Sequence, residues 1–483
     1  MIAMIKETRG YYDPVDTDFI MDLLNLPWFR RTWTVQELAL AREAIVLLGT
    51  RTIQWRSMVL ALRRIQLYAN SEFGKNRFHT SHSNPASFHD ELKCYHRLED
   101  LLHSHVGQSQ TSHISTSLVL VRTKESSNPK DKVYGLYGIF DHMQVLRLPE
   151  VDYAQTVQYI YTNITRVAIE GEQSLAILHE LCLPSRVPEL PSWVPDWSNT
   201  DFVYPIDIMC AASKDSKVIS EFCGLELAVG GIIIDELLHV AHSTSISTAG
   251  FRRGYVARRN DLGDTLKRQL ATIELVRTLK AWVQCARRHK TNLTDRFPAK
   301  FPGEAFFGSM SRQKDSRGSA STIFDPENAE FEDFTSIVMA NEAGNDVDLQ
   351  TLHDRVRSKT EYAAIRDDFV KVFGCSTCVE DWCDEMKIRL FLKVYSPALA
   401  LLQHEVSLNT YHRTLFTTRD GDVGIGPRWA KTGDCVALVA GAQWPFVVRR
   451  EGSKYRFIGP AKVHGIMQGE RWDESKLERM AFV

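Results

Sequence analysis

"LPWFRRTWTVQELALAREAIVLLG", Leu26 to Gly49, packs two tryptophans, an Arg-Arg pair and a Gln-Glu pair into one short stretch. Pro27 stands where a helix can begin, because the N–H that proline lacks is unpaired at that position anyway. Phe29, Trp33 and Gln36 or Glu37 then recur at spacings of three and four, the helical period. "EAIVLLG" switches to a continuous apolar run stopped by Gly49, which reads as a buried strand over Ala44 to Leu48. A helix feeding a central strand is an α/β fragment, and Phe29 and Trp33 are expected to face that strand while Arg30 and Glu37 approach one another at the helix margin.

Working outward, the 483 residues exceed what one core accommodates, so several domains are expected. Hydrophobic residues at 44% and charged residues at 24% exclude a chain disordered by composition. A net charge of −2 supplies no overall basic field for a phosphate backbone, which argues against nucleic acid as a partner. The local clusters Arg252, Arg253, Arg258, Arg259 and Arg287 to Lys290 read as solvated helix faces. Nine scattered cysteines without an apolar leader after Met1 speak against a disulfide framework and for a reducing, cytoplasmic setting. The longest apolar runs, "AIVLLG" and "CVALVAGA", are far too short to span a bilayer.

Helices are expected over Trp55 to Tyr68, Glu91 to His105, Ser112 to Val121, Gln155 to Gly171, Asp264 to His289 and Thr351 to Ala400. "LPSWVPDWS", Leu190 to Ser198, carries two prolines and must run extended or turned, with Trp193 and Trp197 clamping it to a neighbour. "LELAVGGIIIDEL" from Leu225 reads as two short strands broken by glycines. Gly308 to Ser321 is low-complexity and is followed by the acidic "DPENAEFEDF". From Thr414 onward, runs of about five apolar residues alternate with Gly-rich turns, the mark of a small antiparallel β module or barrel. Its expected core is Val436, Leu438, Phe446, Val448, Tyr455 and Phe457.

Several of these segments, in this order, resemble the fungal heterokaryon incompatibility (HET) domain proteins. Trp28-Phe29-Arg30-Arg31-Thr32-Trp33-Thr34-Val35-Gln36-Glu37 is similar to a conserved block of that domain, with Trp28, Arg30, Arg31, Trp33, Gln36 and Glu37 as the motif residues. "NPKDKVYGLYGI", "VDYAQTV", "LPSWVPDWS", "LFTTRDGDVGIGP", "GDCVALVAGAQWPFVVRR" and "VHGIMQGE" resemble the downstream segments of the long HET proteins. The Gly-Tyr, Ser-Tyr-x-Trp-Gly and Ile-Asp-x-x-Cys-Ile-x-Gln blocks that open a HET domain have no match, so a fragment, a truncated gene model or a degenerate member is expected. The resulting expectation is a mixed α+β chain: a partial α/β HET remnant at 1–66, a helical region at 67–205 ending in the Trp/Pro seam, a largely helical region at 206–407 with a mobile loop near 308–330, and a small antiparallel β module at 408–483.

The resemblance implies a role in non-self recognition, with programmed cell death signalling through unidentified protein partners, no membrane span and no cofactor. The alternative draws on a proposed kinship between HET domains and the TIR fold, some members of which cleave NAD with one glutamate. Glu37 would then be the catalytic carboxylate beside an aromatic platform, stabilising an oxocarbenium-like ribosyl cation, with NAD as substrate. A third reading is an inactive remnant that packs against or regulates a partner.

Other patterns point to structure. Cys375, Cys378 and Cys383 lack a fourth zinc ligand at a normal spacing, His404 being the nearest downstream, so no metal is expected. "GDVGIGP", Gly421 to Pro427, lacks the Lys-Ser/Thr of a phosphate loop and reads as a structural Gly turn. His464 and Glu470, conceivable as an acid–base pair, more simply flank another Gly-rich turn.

Overall fold

The computed structural model describes residues 26–48, 50–69, 114–145, 147–181, 183–199, 210–241, 281, 285 and 412–483. These residues belong to two compact units, the first including those up to Ile177 and from Pro184 to Asn199, the second including Leu178–Leu183, 210–241 and 412–483. The expected helices at Glu91 to His105 and Thr351 to Ala400, the low-complexity stretch and the three spaced cysteines lie outside the described residues, as does nearly all of Asp264 to His289.

In the first unit the opening motif is two helices, α1 (Pro27–Arg30) and α2 (Trp33–Ala39), where one was expected. Between them Arg31 is extended, at φ −79° and ψ 142°, and forms a parallel bridge with Glu125. Glu125 N donates to Arg30 O at 2.5 Å and Thr32 N to Glu125 O at 2.9 Å, so the backbone groups at the break are paired across the fold rather than along a helix. Thr34 Oγ1 donates to the carbonyls of Trp28 and Arg31 at 2.9 and 2.8 Å, completing the interruption.

The run after α2 is a strand, β1 (Ile45–Leu48), but it is neither central nor buried. It forms a two-stranded antiparallel hairpin with β2 (Arg51–Gln54), Ile45 facing Gln54 and Leu48 facing Arg51. Ile45 and Leu47 are 60% and 68% exposed. Apolar character favours a strand, whereas burial needs a covering layer, and the described residues lay none over Ile45 and Leu47, while Val46 and Ile53 on the other face are partly buried.

Trp55 N donates to Ala44 O at 2.9 Å and starts α3 (Trp55–Ala69), whose buried Trp55, Met58, Val59 and Leu62 make one helical stripe. The helices α4 (Ile114–Val121), α5 (Asp131–Tyr134), α6 (Tyr137–His142) and α7 (Val157–Glu172) follow. Thr156 caps α7 by accepting from Tyr159 N at 3.1 Å, and Gln173 ends it in the left-handed region at φ 47°. Beyond it, Trp193 and Trp197 of the Pro-rich seam are fully buried.

The second unit is a β-barrel with an extension. "LELAVGGIIIDEL" is one long strand, β4 (Glu226–Val240), rather than two short ones. Its glycines permit close approach instead of breaking it: a Cβ on Gly231 would lie 2.6 Å from Met480 Sδ and 3.1 Å from Leu438 O. The short β3 (Ser220–Cys223) pairs with its start. The other strands are β5 (Arg413–Thr418), β6 (Val423–Pro427), β7 (Cys435–Val439), β8 (Phe446–Glu451), β9 (Lys454–Pro460), β10 (Lys462–Val463) and β11 (Glu478–Phe482). The pairings β4–β11, β11–β9, β9–β8, β8–β7 and β7–β4 close a ring, while β5, β6 and β10 continue from the far half of β4. The ring is antiparallel except at β9–β11, which run parallel where Tyr455 meets Phe482.

Inside are Ile232, Leu237, Phe416, Val436, Leu438, Val447 and Ile458. Val436 and Leu438 thus sit as expected. Phe446, Val448 and Phe457 are also buried, though on the opposite faces of their strands, where Phe457 stacks on Phe482 at 3.7 Å and meets Phe446 edge-on at 5.1 Å. Tyr455 is half-buried at the parallel seam.

Candidate functional site

The segments singled out in the first unit converge on three buried cations, Arg122, Lys124 and Lys132, each no more than 4% exposed. Lys124 Nζ donates to Phe29 O at 2.9 Å, and Lys132 Nζ to the carbonyls of Arg122, at 2.9 Å, and Lys124. Arg122 Nε reaches Asn199 O at 3.0 Å and its Nη2 reaches Asp196 O at 3.2 Å, with the guanidinium 5.4 Å over the Trp197 ring. Burial, then the nearby charge of Arg122, holds the Lys132 ammonium down to about 8. Backbone carbonyl oxygens are among the partners of all three cations, which offsets part of the cost of burying them.

Around this knot the remaining segments are stitched together. Tyr134 Oη donates to Asp152 O at 3.0 Å, Tyr153 Oη to Asp131 Oδ1 at 2.7 Å, and Tyr161 Oη to Pro129 O at 2.8 Å. The Asp196 carboxylate caps the seam, accepting Arg186 N at 2.6 Å on Oδ2 and Ser198 N at 2.9 Å on Oδ1. "NPKDKVYGLYGI", "VDYAQTV" and "LPSWVPDWS" are therefore interlocking parts of one frame.

The motif residues divide by environment. Gln36 Oε1 accepts Gly138 N at 2.8 Å, and a Cβ on Gly138 would come within 2.8 Å of Gln36 Cδ, so the pair packs as one piece. Trp28 is 38% exposed and meets Phe29 and Trp55 edge-on at 5.1 and 6.1 Å. Trp33 is half-buried. Arg31 is exposed and acts through its backbone bridge. Arg30 pairs with Glu125 and not with Glu37, because the break at Arg31 destroys the single helical stripe that would have joined them. Glu37 is exposed, and among the described residues no hydrogen bond or ion pair holds it. Arg122, Lys124 and Glu125 were not legible as site residues; their position directly after the apolar helix α4 was the available signal.

In the second unit, "GDVGIGP" is strand β6 after a turn at Gly421, φ 91°. A Cβ on Gly424 would lie 2.5 Å from Phe416 Cζ, so its glycines make room for an aromatic ring and no phosphate cradle is formed. Glu470 Oε2 accepts Gln468 N at 2.8 Å, and His464 N donates to Val423 O at 3.0 Å, so both fasten the turn after β10. Burial, then the charge of Lys462, depresses the His464 imidazole. Lys462 itself is held to about 8, by burial first and then by Arg413. Cys210, Cys223 and Cys435 are free thiols, and burial pushes Cys210 up to about 11. Among the described residues no His, Cys, Asp and Glu cluster has metal-binding geometry, and no helix is long and apolar enough to cross a membrane.

Residues 328–483 match the family model of the Het-6 β-barrel domain. The closed ring described above also draws on β4, upstream of the matched range. The chain is 22% identical to heterokaryon incompatibility protein 6, OR allele, of Neurospora crassa over 487 residues, an alignment covering 93% of this chain and 65% of that protein. The chain thus spans less than two thirds of that relative's length. No solved structure matches it. Residues 328–483 thus match the Het-6 β-barrel domain, and the ordered motifs and the relative make the chain as a whole similar to the fungal heterokaryon incompatibility proteins.

Proposed function

We propose that this chain acts in heterokaryon incompatibility, as a protein-recognition component of non-self discrimination that leads to programmed cell death. The observation that carries the reading is the alignment of 93% of the chain with a heterokaryon incompatibility protein, barrel included. The geometry agrees with recognition: the motif segments form a frame braced by buried cations, which holds Trp28, Trp33 and Glu37 at its margin. A rigid frame with an exposed edge suits binding a partner. The free thiols fit a cytoplasmic setting.

The test is expression of the chain in a filamentous fungal host, scoring dye uptake and colony growth after fusion with strains carrying different incompatibility alleles. Death confined to particular pairings is expected. Growth unchanged in every pairing would overturn the proposal and leave the inactive regulatory remnant. NAD measured in the same cells separates the enzymatic alternative. NAD is expected to be unchanged, whereas NAD loss abolished by Glu37→Gln would make Glu37 a catalytic carboxylate.

A further inference from the structure

The hairpin β1–β2 carries three independent features of a docking edge. First, it is a sheet of only two strands, and among the described residues neither outer edge pairs with another strand, leaving a row of backbone donors and acceptors open. Second, Ile45 and Leu47 lie two apart on β1 and so project from one face, both more exposed than buried, at 60% and 68%. Third, the surrounding charge is one-sided. Residues 26–64 hold seven arginines against two glutamates, with no lysine or aspartate, in a chain of net charge −2.

The arginines nearest the hairpin are also uncommitted. Arg42, Arg51 and Arg56 are exposed, and among the described residues none makes an ion pair. Elsewhere Arg30, Arg419, Arg449, Arg456, Arg471 and Arg479 each face a carboxylate. Uncommitted guanidinium groups beside an open strand edge fit carboxylates carried on an extended backbone.

We propose that β1–β2 is a docking edge for an acidic, extended segment of a partner protein, which adds to the hairpin as a further strand. Its main chain pairs with the free edge, its apolar side chains cover Ile45 and Leu47, and its carboxylates meet Arg42, Arg51 and Arg56. A lipid surface would use the apolar residues and arginines but leave the strand edge unpaired, so the open edge favours a peptide. The inference is independent of the incompatibility reading, since any acidic partner strand satisfies it.

The test uses the full chain and a short synthetic peptide alternating glutamate and valine, followed by fluorescence anisotropy and by amide hydrogen exchange. Saturable binding is expected, weakened by salt, with slowed exchange at 45–48 and 51–54. Binding should fall roughly tenfold or more with Arg51→Glu, an exposed site whose variant should retain its circular dichroism. It should also be lost when alternate peptide amides are N-methylated, which removes backbone donors but no charge. No saturable binding, equal binding of the N-methylated peptide, or unchanged exchange over the hairpin would each overturn the proposal. Tight binding to phosphatidylserine vesicles with no peptide binding would replace it with a membrane surface.

Discussion

Lys124 donates its Nζ to the carbonyl oxygen of Phe29 across 2.9 Å, joining residues 95 apart in the chain. The bond ties the opening helix α1 to the turn after α4, and the adjacent bridge of Arg31 to Glu125 makes the tie a backbone one as well. Because both groups sit in a place with almost no water, the bond is worth more than a surface pair.

Replacing Lys124 with Met keeps the volume and removes the donor. We expect a loss of about 2 kcal/mol, the scale of a buried hydrogen bond to a charged group. The neighbouring Arg30–Glu125 pair is substantially exposed, and Glu125→Gln should cost less than about 1 kcal/mol. Urea unfolding of the two variants checks the ranking; a cost for Glu125→Gln as large as that for Lys124→Met would refute it.

The two aromatic residues of the opening motif should separate by burial. Phe29 is 4% exposed, and Phe29→Ala should cost roughly 3–5 kcal/mol by emptying a packed site. Trp33 is half-buried, so Trp33→Ala should cost less, about 1–2 kcal/mol, despite the larger side chain removed. Thermal melts followed by circular dichroism would expose the reverse order.

His179 introduces a pH dependence. It stacks on Trp444 at 5.0 Å and on Phe446 at 5.7 Å, its Nε2 is buried without a hydrogen-bond partner, and burial holds it down to about 4. The folded value lies below the ordinary 6.5, so the unfolded chain takes up a proton first as the pH falls. Stability from this residue is intact above about pH 6.5, declines between pH 6.5 and 4, and in total falls by roughly 3 kcal/mol. His179→Phe keeps the ring stack and removes the titration, so its urea midpoint should be less sensitive over that window than the parent's. Equal pH slopes in the two proteins would contradict this.

Gly424 should be intolerant for a packing reason. Gly424→Ala drives a methyl to within 2.5 Å of the Phe416 ring, which is locked in the barrel core, and should cost about 1–3 kcal/mol. Gly452 has open space but a positive φ of 65°, so Gly452→Ala should cost only about 1 kcal/mol. Near-ultraviolet circular dichroism and melting of the two variants distinguish them, and no nucleotide should protect either.

Helices at Trp55–Ala69, Ile114–Val121 and Val157–Glu172 were legible from the sequence within a few residues at either end, because apolar period and caps such as Thr156 act over one or two turns. So were the strands after Thr414, where short apolar runs alternate with glycine turns. The order of the family motifs was legible too, being a property of the chain alone. What the motifs do was decided by tertiary structure. The break at Arg31 exists because Glu125 supplies backbone partners from far along the chain, and no local rule marks it. The apolar run Ile45–Leu48 has the composition of a core strand, yet Ile45 and Leu47 lie exposed, since burial depends on what packs above them. Gly230 and Gly231 read as a break within thirteen residues, but β11 and β7, more than two hundred residues on, pair with this part of β4 and make Gly231 a point of close strand contact. Local dihedral preference is written in neighbouring residues, while burial, pairing and the satisfaction of buried charge are set only when distant segments meet.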